Sequence, residues 1–198
     1  MKGVTLRTAR LVLRPWTADD RVPFAAMNAD PEVRRFFPSL LTRAQSDASA
    51  DFLAGQFERT AYGPWAVEIP GVTPFAGFVG VWETAADMRP LGRVEIGWRL
   101  ARAQWGRGYA TEGARAALDF AFGPGGLDAL VAFVAPGNHA SRAVMDRIGL
   151  IEDPDAAFDH PRLPEGHALR RNLLYRATRA TFRPSPPRPG ASARSACP

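Results

Sequence analysis

Along this chain, short stretches with alternating apolar and polar positions are interrupted by stretches in which apolar residues return every three to four positions, so strands and amphipathic helices succeed one another. Leu11 to Trp16 alternates, with Leu11 and Leu13 on one face and Val12 and Arg14 on the other, and predicts a first strand. Thr17 offers a helix cap, with Asp19 and Asp20 in the first turn of a helix reaching about Asn28 and Pro23 pushing its start later. Pro31 and Pro38 bracket a turn carrying Phe36 and Phe37. Thr42 and Gln45 form the T-x-x-Q capping box of a second helix running toward Thr60, with Ala48, Phe52 and Phe57 as its apolar stripe.

Further strands are predicted at Trp65 to Ile69, at Phe75 to Trp82 with Phe75, Gly77, Val79 and Val81 on one face, and at Arg93 to Leu100. Mostly short turns join them, which argues for an antiparallel meander. A glycine-dense loop, Gln104 to Ala110, opens a helix to Phe122, and Leu127 to Ala135 follows as a strand. Asn138 caps a short helix with Ala140, Val144 and Ile148 on its apolar face and Gly149 at its end. Segments around Ala156–Phe158 and Leu173–Thr178 supply two last strands, with His160, Pro161, Pro164 and Gly166 in the loop between them. From Arg183 the chain is proline- and serine-rich without apolar period, so a domain over 1–182 and a disordered tail over 183–198 are expected.

Composition narrows the class. A 198-residue chain that is 46% hydrophobic and 23% charged fits one globular domain. No apolar run approaches the ~20 residues of a membrane span, and the N-terminus lacks the apolar block of a secretory signal. The lone Cys197 has no internal partner, which suits a reducing cytoplasm. The net charge of +5 comes mainly from arginines scattered among acids, which argues for a solvated surface or attraction of an anionic cofactor over a nucleic-acid-binding face. His139, His160 and His167 have no metal-ligand spacing, so no metal is expected.

The candidate chemistry starts at the glycine loop. Gly106 and Gly108 can adopt angles closed to other residues, and the helix behind them adds unpaired N–H groups and the positive end of its dipole; together they suit a phosphate or pyrophosphate. A Walker loop needs a lysine after its second glycine and none is present, while a dinucleotide fingerprint fits Gly106, Gly108 and Thr111 imperfectly. More residues match a third arrangement: Thr8-Ala9-Arg10-Leu11-Val12-Leu13-Arg14-Pro15, then Glu95-Ile96-Gly97-Trp98, then Trp105-Gly106-Arg107-Gly108-Tyr109-Ala110-Thr111-Glu112, then Asn138 opening a helix that ends at Gly149. In this order the motifs resemble the GNAT superfamily of acetyl-CoA-dependent N-acetyltransferases, from Leu6 to about Arg179, and within it the branch of ribosomal-protein N-terminal acetyltransferases.

That resemblance implies an α/β GNAT fold, a mixed and mostly antiparallel sheet flanked by helices, with acetyl-CoA in a cleft after the fourth strand. It implies that the backbone of Gly106 to Ala110 holds the pyrophosphate, with Arg107 adding charge and Trp105, Tyr109 and Thr111 around it. Trp105 stands where relatives usually carry Gln or Arg. Trp98, Arg99 and Leu100, on a strand splayed from its neighbour, are expected along the pantetheine arm. Asn138 matches an asparagine that often contacts that arm; it also reads as a plain helix cap, and the two roles are compatible. Glu95 is the first candidate for a base, or else a strand acid paired with an arginine. Met145 occupies the usual place of a proton-donating tyrosine, which leaves Ser141 as the nearest hydroxyl and Tyr109 and Tyr175 as further donors. Phe36, Phe37 and His160 are candidates to line the acceptor site, against a core role for the phenylalanines and a surface-loop role for the histidine. The implied reaction is direct transfer of acetyl to a primary amine, on a protein N-terminus or a small molecule, in a ternary complex. A non-catalytic acetyl-CoA-binding or sensing module is the alternative, and a homodimer is common for such domains.

Overall fold

The computed structural model describes residues 3–88 and 91–184, so nearly all of the predicted tail lies outside the described residues. Strands β1 (Leu6–Arg7), β2 (Val12–Arg14), β3 (Pro64–Ile69), β4 (Thr73–Glu83) and β5 (Val94–Leu100) pair antiparallel in chain order. Helix α4 (Tyr109–Phe122) then crosses to β6 (Ala129–Val134), which lies parallel to β5, as a crossover connection allows. With β7 (Ile151–Asp159) and β8 (Arg171–Thr178), one sheet runs in the order β1-β2-β3-β4-β5-β6-β8-β7. Helices α1 (Arg21–Ala29), α2 (Pro31–Arg34), α3 (Arg43–Arg59) and α5 (His139–Arg147) complete the α/β architecture.

Strand alternation divides the core into layers. In β3, Trp65 and Val67 join Leu11, Leu13, Ile96 and the small α4 residues Ala114, Ala117 and Ala121. Ala66, between them, turns the other way and meets Phe24 and Met27 of α1, Leu53 of α3, and Phe78. The small residues of α4 let that helix lie close against the strands whose ends build the cleft.

Several local expectations are corrected. Ala18–Asp20 forms a 3-10 turn under the Thr17–Asp20 capping box, and α1 begins at Arg21, so Pro23 sits in its first turn, where a missing N–H costs nothing. The turn after Pro31 contains α2, with Pro31 at its start and Asp30 accepting from the Glu32 N–H at 2.8 Å. In α3 the buried stripe is Ser46, Ala50, Leu53, Gln56 and Phe57, whereas Phe52 is 53% exposed and Ala48 is exposed. Two polar residues on the inner stripe hid its phase from a count of apolar positions. In β4, Gly77 has φ +132 and interrupts the alternation, so Phe75 and Phe78 share one layer while Ala76, Val79 and Val81 share the other. The last two strands are longer than predicted, because β7 is an edge strand whose polar Glu152, Asp153 and Asp155 show no apolar alternation.

Gly77 serves the site directly, since a Cβ there would lie 2.1 Å from the Arg99 carbonyl oxygen of β5. Gly77→Val is expected to destabilise the fold by at least ~3 kcal/mol, combining a forbidden φ with a backbone clash. Urea unfolding monitored by tryptophan fluorescence measures it; a midpoint equal to wild type would show that the close approach of β4 and β5 is dispensable.

Candidate active site

The site begins where two strands part. Between β5 and β6 the described residues pair at Glu95 and Val131, while β5 continues to Leu100 held only on its β4 side. Peptide groups from Trp98 to Leu100 therefore border a gap in the sheet. A cleft of about 840 Å³ opens there, walled by Trp98, Arg99 and Leu100, by the glycine loop, by Asn138, Ser141 and Val144 of the α5 end, and by Phe36 and Phe37 after α2.

The floor of the cleft is the start of α4. Gly108 caps the helix with φ +79, and Gly106 has φ +72. A Cβ on Gly106 would meet nothing within 4 Å, so it is the left-handed backbone, not lack of space, that calls for glycine. This geometry presents the first-turn N–H groups of α4, which have no partner within the helix, to the cleft. One acid, Glu112, sits in that turn and would repel an anion, yet it is engaged from the N-terminal segment. Arg10 Nε donates to its Oε2 at 2.6 Å, the Arg10 N–H and the Thr8 hydroxyl donate to its Oε1 at 2.9 and 2.6 Å, and Arg10 Nη1 donates to the Arg107 carbonyl at 2.9 Å. The Arg10 guanidinium also lies 4.6 Å from the Tyr109 ring centroid. Thr8 and Arg10, read in the sequence only as part of a motif, thus latch the loop; no local signal could reveal a contact across about a hundred residues.

Arg10 and the other cleft arginines, Arg35, Arg99, Arg115 and Arg147, outnumber Glu32 and Glu112. Arg107 contributes its carbonyl to the Arg10 latch and is absent from the residues that wall the cleft. Trp105 Nε1 donates to the Leu100 carbonyl at 2.8 Å, tying the loop to the end of β5, and the residue lines the cleft with its one N–H committed. Gln104, beside it, lines the cleft with a buried Oε1 that has no partner.

Glu95, Gly97 and Arg99 share the face of β5 that looks toward α1 and α2. Glu95 stands at the apex where β5 and β6 separate, outside the walls of the main cleft and roughly 10 Å along the strand from Trp98. Burial pushes its carboxyl up to about 8, against the Trp82 indole hydrogen bond and the charge of Arg162, which both favour the ionised form. The pairing of Glu95 with an arginine is thus only electrostatic, because Arg162 spends its guanidinium on Asp87 at 2.7 Å from both oxygens. His160 lies beside this group, its ring 6.1 Å from Phe133, and does not wall the main cleft; burial lowers its pKa, with Arg162 adding to the effect.

On the same face, Arg99 is almost enclosed. Its guanidinium sits 4.1 Å from the Phe37 centroid and 5.3 Å from that of Phe78, and burial lowers it to about 9, with the Arg34 charge adding to the effect. Phe37 is thereby a cation platform, and Phe36 reaches across toward Gly137, its ring edge 3.8 Å from where a Cβ would stand.

Of the remaining candidates, Asn138 is a helix cap, its Oδ1 accepting from the Ser141 N–H at 3.2 Å, and both residues line the cleft. Tyr109, Ala110 and Thr111 line it as well. Met145 is buried in the core. Tyr175 is withdrawn, its hydroxyl donating to Glu152 at 2.8 Å and accepting from Arg142 at 3.3 Å. Among the described residues no cluster of His, Cys, Asp and Glu could hold a metal, and no helix is long and apolar enough to cross a membrane.

A left-handed glycine turn opening a helix beside a gap between parallel strands is an arrangement suited to an acyltransferase that takes a coenzyme thioester. Residues 10–151 match the family described as Acetyltransferase (GNAT) domain, and the chain belongs to that family of N-acetyltransferases. A Bacillus subtilis protein, uncharacterized YkkB, is 31% identical over 148 residues, spanning 73% of this chain and 84% of its own. The FsC-acetyl coenzyme A-N(2)-transacetylase of Aspergillus fumigatus is 32% identical over 161 residues, spanning 74% of this chain and 64% of its own. The fold is shared with Mycobacterium smegmatis RimJ in complex with CoA-disulfide, at 22% identity and TM-score 0.67, covering 85% of this chain and 81% of that one.

Acetyl-CoA, the donor of this family, fits the residues present: a glycine cradle at a helix start, an excess of arginine, and the unsatisfied Gln104 oxygen as an acceptor for an amide N–H. Arg10→Ala is expected to raise the Kd for acetyl-CoA about tenfold, because it loosens the loop and exposes the Glu112 charge. Adding Glu112→Gln should recover part of the loss; calorimetric titration of both variants distinguishes this from general unfolding.

Proposed function

We propose that this protein transfers the acetyl group of acetyl-CoA directly to a primary amine held between β5, the Phe36–Phe37 segment and the β6–α5 loop. The observation that carries the reading is the gap between β5 and β6 with a left-handed glycine cradle at its mouth. The coenzyme supplies an acetyl carbon activated as a thioester. The backbone from Gly106 to Ala110 holds the diphosphate, and the free peptide edge from Trp98 to Leu100 aligns the pantetheine arm. Asn138 orders the α5 end and thereby fixes Ser141 in the cleft wall.

An amine is mostly protonated near neutral pH and cannot attack until it loses a proton. Glu95 receives that proton on its carboxylate through an intervening water, a task to which its raised pKa is matched. As the C–N bond forms and the C–S bond breaks, the Ser141 hydroxyl would donate a hydrogen bond to the departing sulfur, which would take up the second amine proton and leave as the thiol. His160, with Arg162 and Asp87, borders the Glu95 end of the acceptor region. The name of the Aspergillus relative, an N(2)-transacetylase, supports a nitrogen acceptor, and the motif resemblance to the ribosomal-protein acetyltransferases keeps a protein N-terminus among the candidates. The single cysteine fits a cytoplasmic setting.

The test is a thermal-shift comparison of acetyl-CoA, CoA and NAD followed by an amine panel scored by free thiol. Acetyl-CoA and CoA should raise the melting temperature and NAD should not. No shift with either coenzyme overturns the reading. Binding without thiol release from any amine would instead support the sensing module.

A further inference from the structure

Arg99 is a cation provided with every fixture except a counter-ion. Its Nη1 donates to Asn28 Oδ1 at 2.7 Å, and Asn28, itself 0% exposed, is fixed from behind by its Nδ2 donating to Ser46 Oγ at 2.9 Å. The rings of Phe37 and Phe78 hold the guanidinium at 4.1 and 5.3 Å. Arg99 Nε is buried with no partner, and the side chain lines the cleft. Beside it stands the buried Arg34, which shares the Phe37 ring at 4.5 Å and donates its Nε to the Ser39 carbonyl at 2.8 Å. Among the described residues neither arginine has an ion pair. Two enclosed like charges without an anion are costly, and a fold that keeps them leaves a place for one.

The free edge says which anion. With Nη1 committed to Asn28 and Nε buried without a partner, the Arg99 side chain at the cleft wall keeps Nε and Nη2 uncommitted, a planar pair matched to the two oxygens of a carboxylate. On the acetyl-transfer reading the coenzyme's phosphates belong to the α4 cradle, which leaves Arg99 for a different anion. Phe36, a wall of the same cleft, reaches to Gly137 of the loop after β6, and a cleft bridged in this way suits a small acceptor better than a protein segment.

We infer that Arg99 is a specificity-determining residue that binds the carboxylate of the acceptor, and that the acceptor is a small amino acid-like molecule carrying both a primary amine and a free carboxylate. The inference rests on the acetyl-transfer reading above and narrows its substrate.

The test uses the full-length protein with the twenty common amino acids, their carboxamides and the matching decarboxylated amines. Acetyl-CoA-dependent thiol release is scored as kcat/KM. The best amino acid is expected to exceed its carboxamide by about 30- to 100-fold, the range of a bidentate charge-assisted pair. Arg99→Met, which keeps the peptide group beside the pantetheine arm, should erase that preference through KM and leave the Kd for acetyl-CoA within about twofold. Arg99→Lys should recover only a small part, having the charge without the fork. Should Arg99→Met fail to fold, the lysine variant carries the same comparison.

Equal use of acid and carboxamide by the wild type overturns the inference, as does a loss of acetyl-CoA affinity in Arg99→Met that matches the loss in kcat/KM. Preference for peptides with an acidic first residue over all free amino acids overturns the small-molecule assignment. Binding of the N-acetylated amino acids, read by calorimetry without turnover, separates the two levels: binding lost in Arg99→Met supports the carboxylate site even where acetyl transfer fails, and no binding to wild type refutes it.

Discussion

Gly108→Val is expected to raise the Kd for acetyl-CoA at least ~100-fold while the protein stays folded. Gly108 holds φ +79, a conformation that costs a β-branched residue of order 1–3 kcal/mol. A Cβ at this point meets only Arg10 Nη2, at 3.4 Å, so space does not forbid the substitution. The loop is exposed and can relax toward ordinary angles. Relaxation turns the first N–H groups of α4 away from their common focus, and a diphosphate loses several charge-assisted hydrogen bonds together. Calorimetric titration gives the affinity and a melt of the unliganded protein gives the control. An unchanged Kd would mean that the coenzyme is not held by this backbone.

Glu95→Gln is expected to lower kcat by about 10²- to 10³-fold with little change in acetyl-CoA affinity, the range for loss of a positioned base. The pH profile supplies the sign. With its carboxyl raised to about 8, Glu95 is mostly protonated at neutral pH, so the wild-type kcat should climb nearly tenfold per unit below 8 and level above it. The glutamine variant should lack that inflection. Stability runs the other way. A carboxyl at 4.5 in the unfolded chain and about 8 in the fold keeps its proton longer when folded, so its ionisation erodes stability from about pH 4.5 upward, in full above 8. Glu95→Gln should therefore be more stable than wild type at pH 8.5, by about 1–2 kcal/mol after discounting for partial solvation, and equal to it near pH 4.5. Lower activity with higher stability marks a residue kept for chemistry. Lower activity with lower stability at pH 8.5 would mark Glu95 as structural.

The regular elements were legible because each one's period, cap or turn lies within its own few residues. Thr42 and Gln45 announced α3, Asn138 announced α5, and Gly106 and Gly108 announced the start of α4. The phase of α3 was not legible, since Ser46 and Gln56 are buried polar residues that only neighbouring elements make tolerable. The bulge at Gly77 escaped for a similar reason: a glycine in a strand does not say which way the next side chain will face.

The residues alone were enough for the meander, the crossover and the glycine loop that opens α4, because these depend on local backbone preference and on motifs a few residues long. The folded arrangement alone sets that Arg10 neutralises Glu112, that Trp105 ties down β5, that Tyr175 is withdrawn and that Arg99 keeps a buried Nε without a counter-ion. Those facts depend on which charges and rings meet across the fold, and the free energy of a charge is set by its surroundings in space.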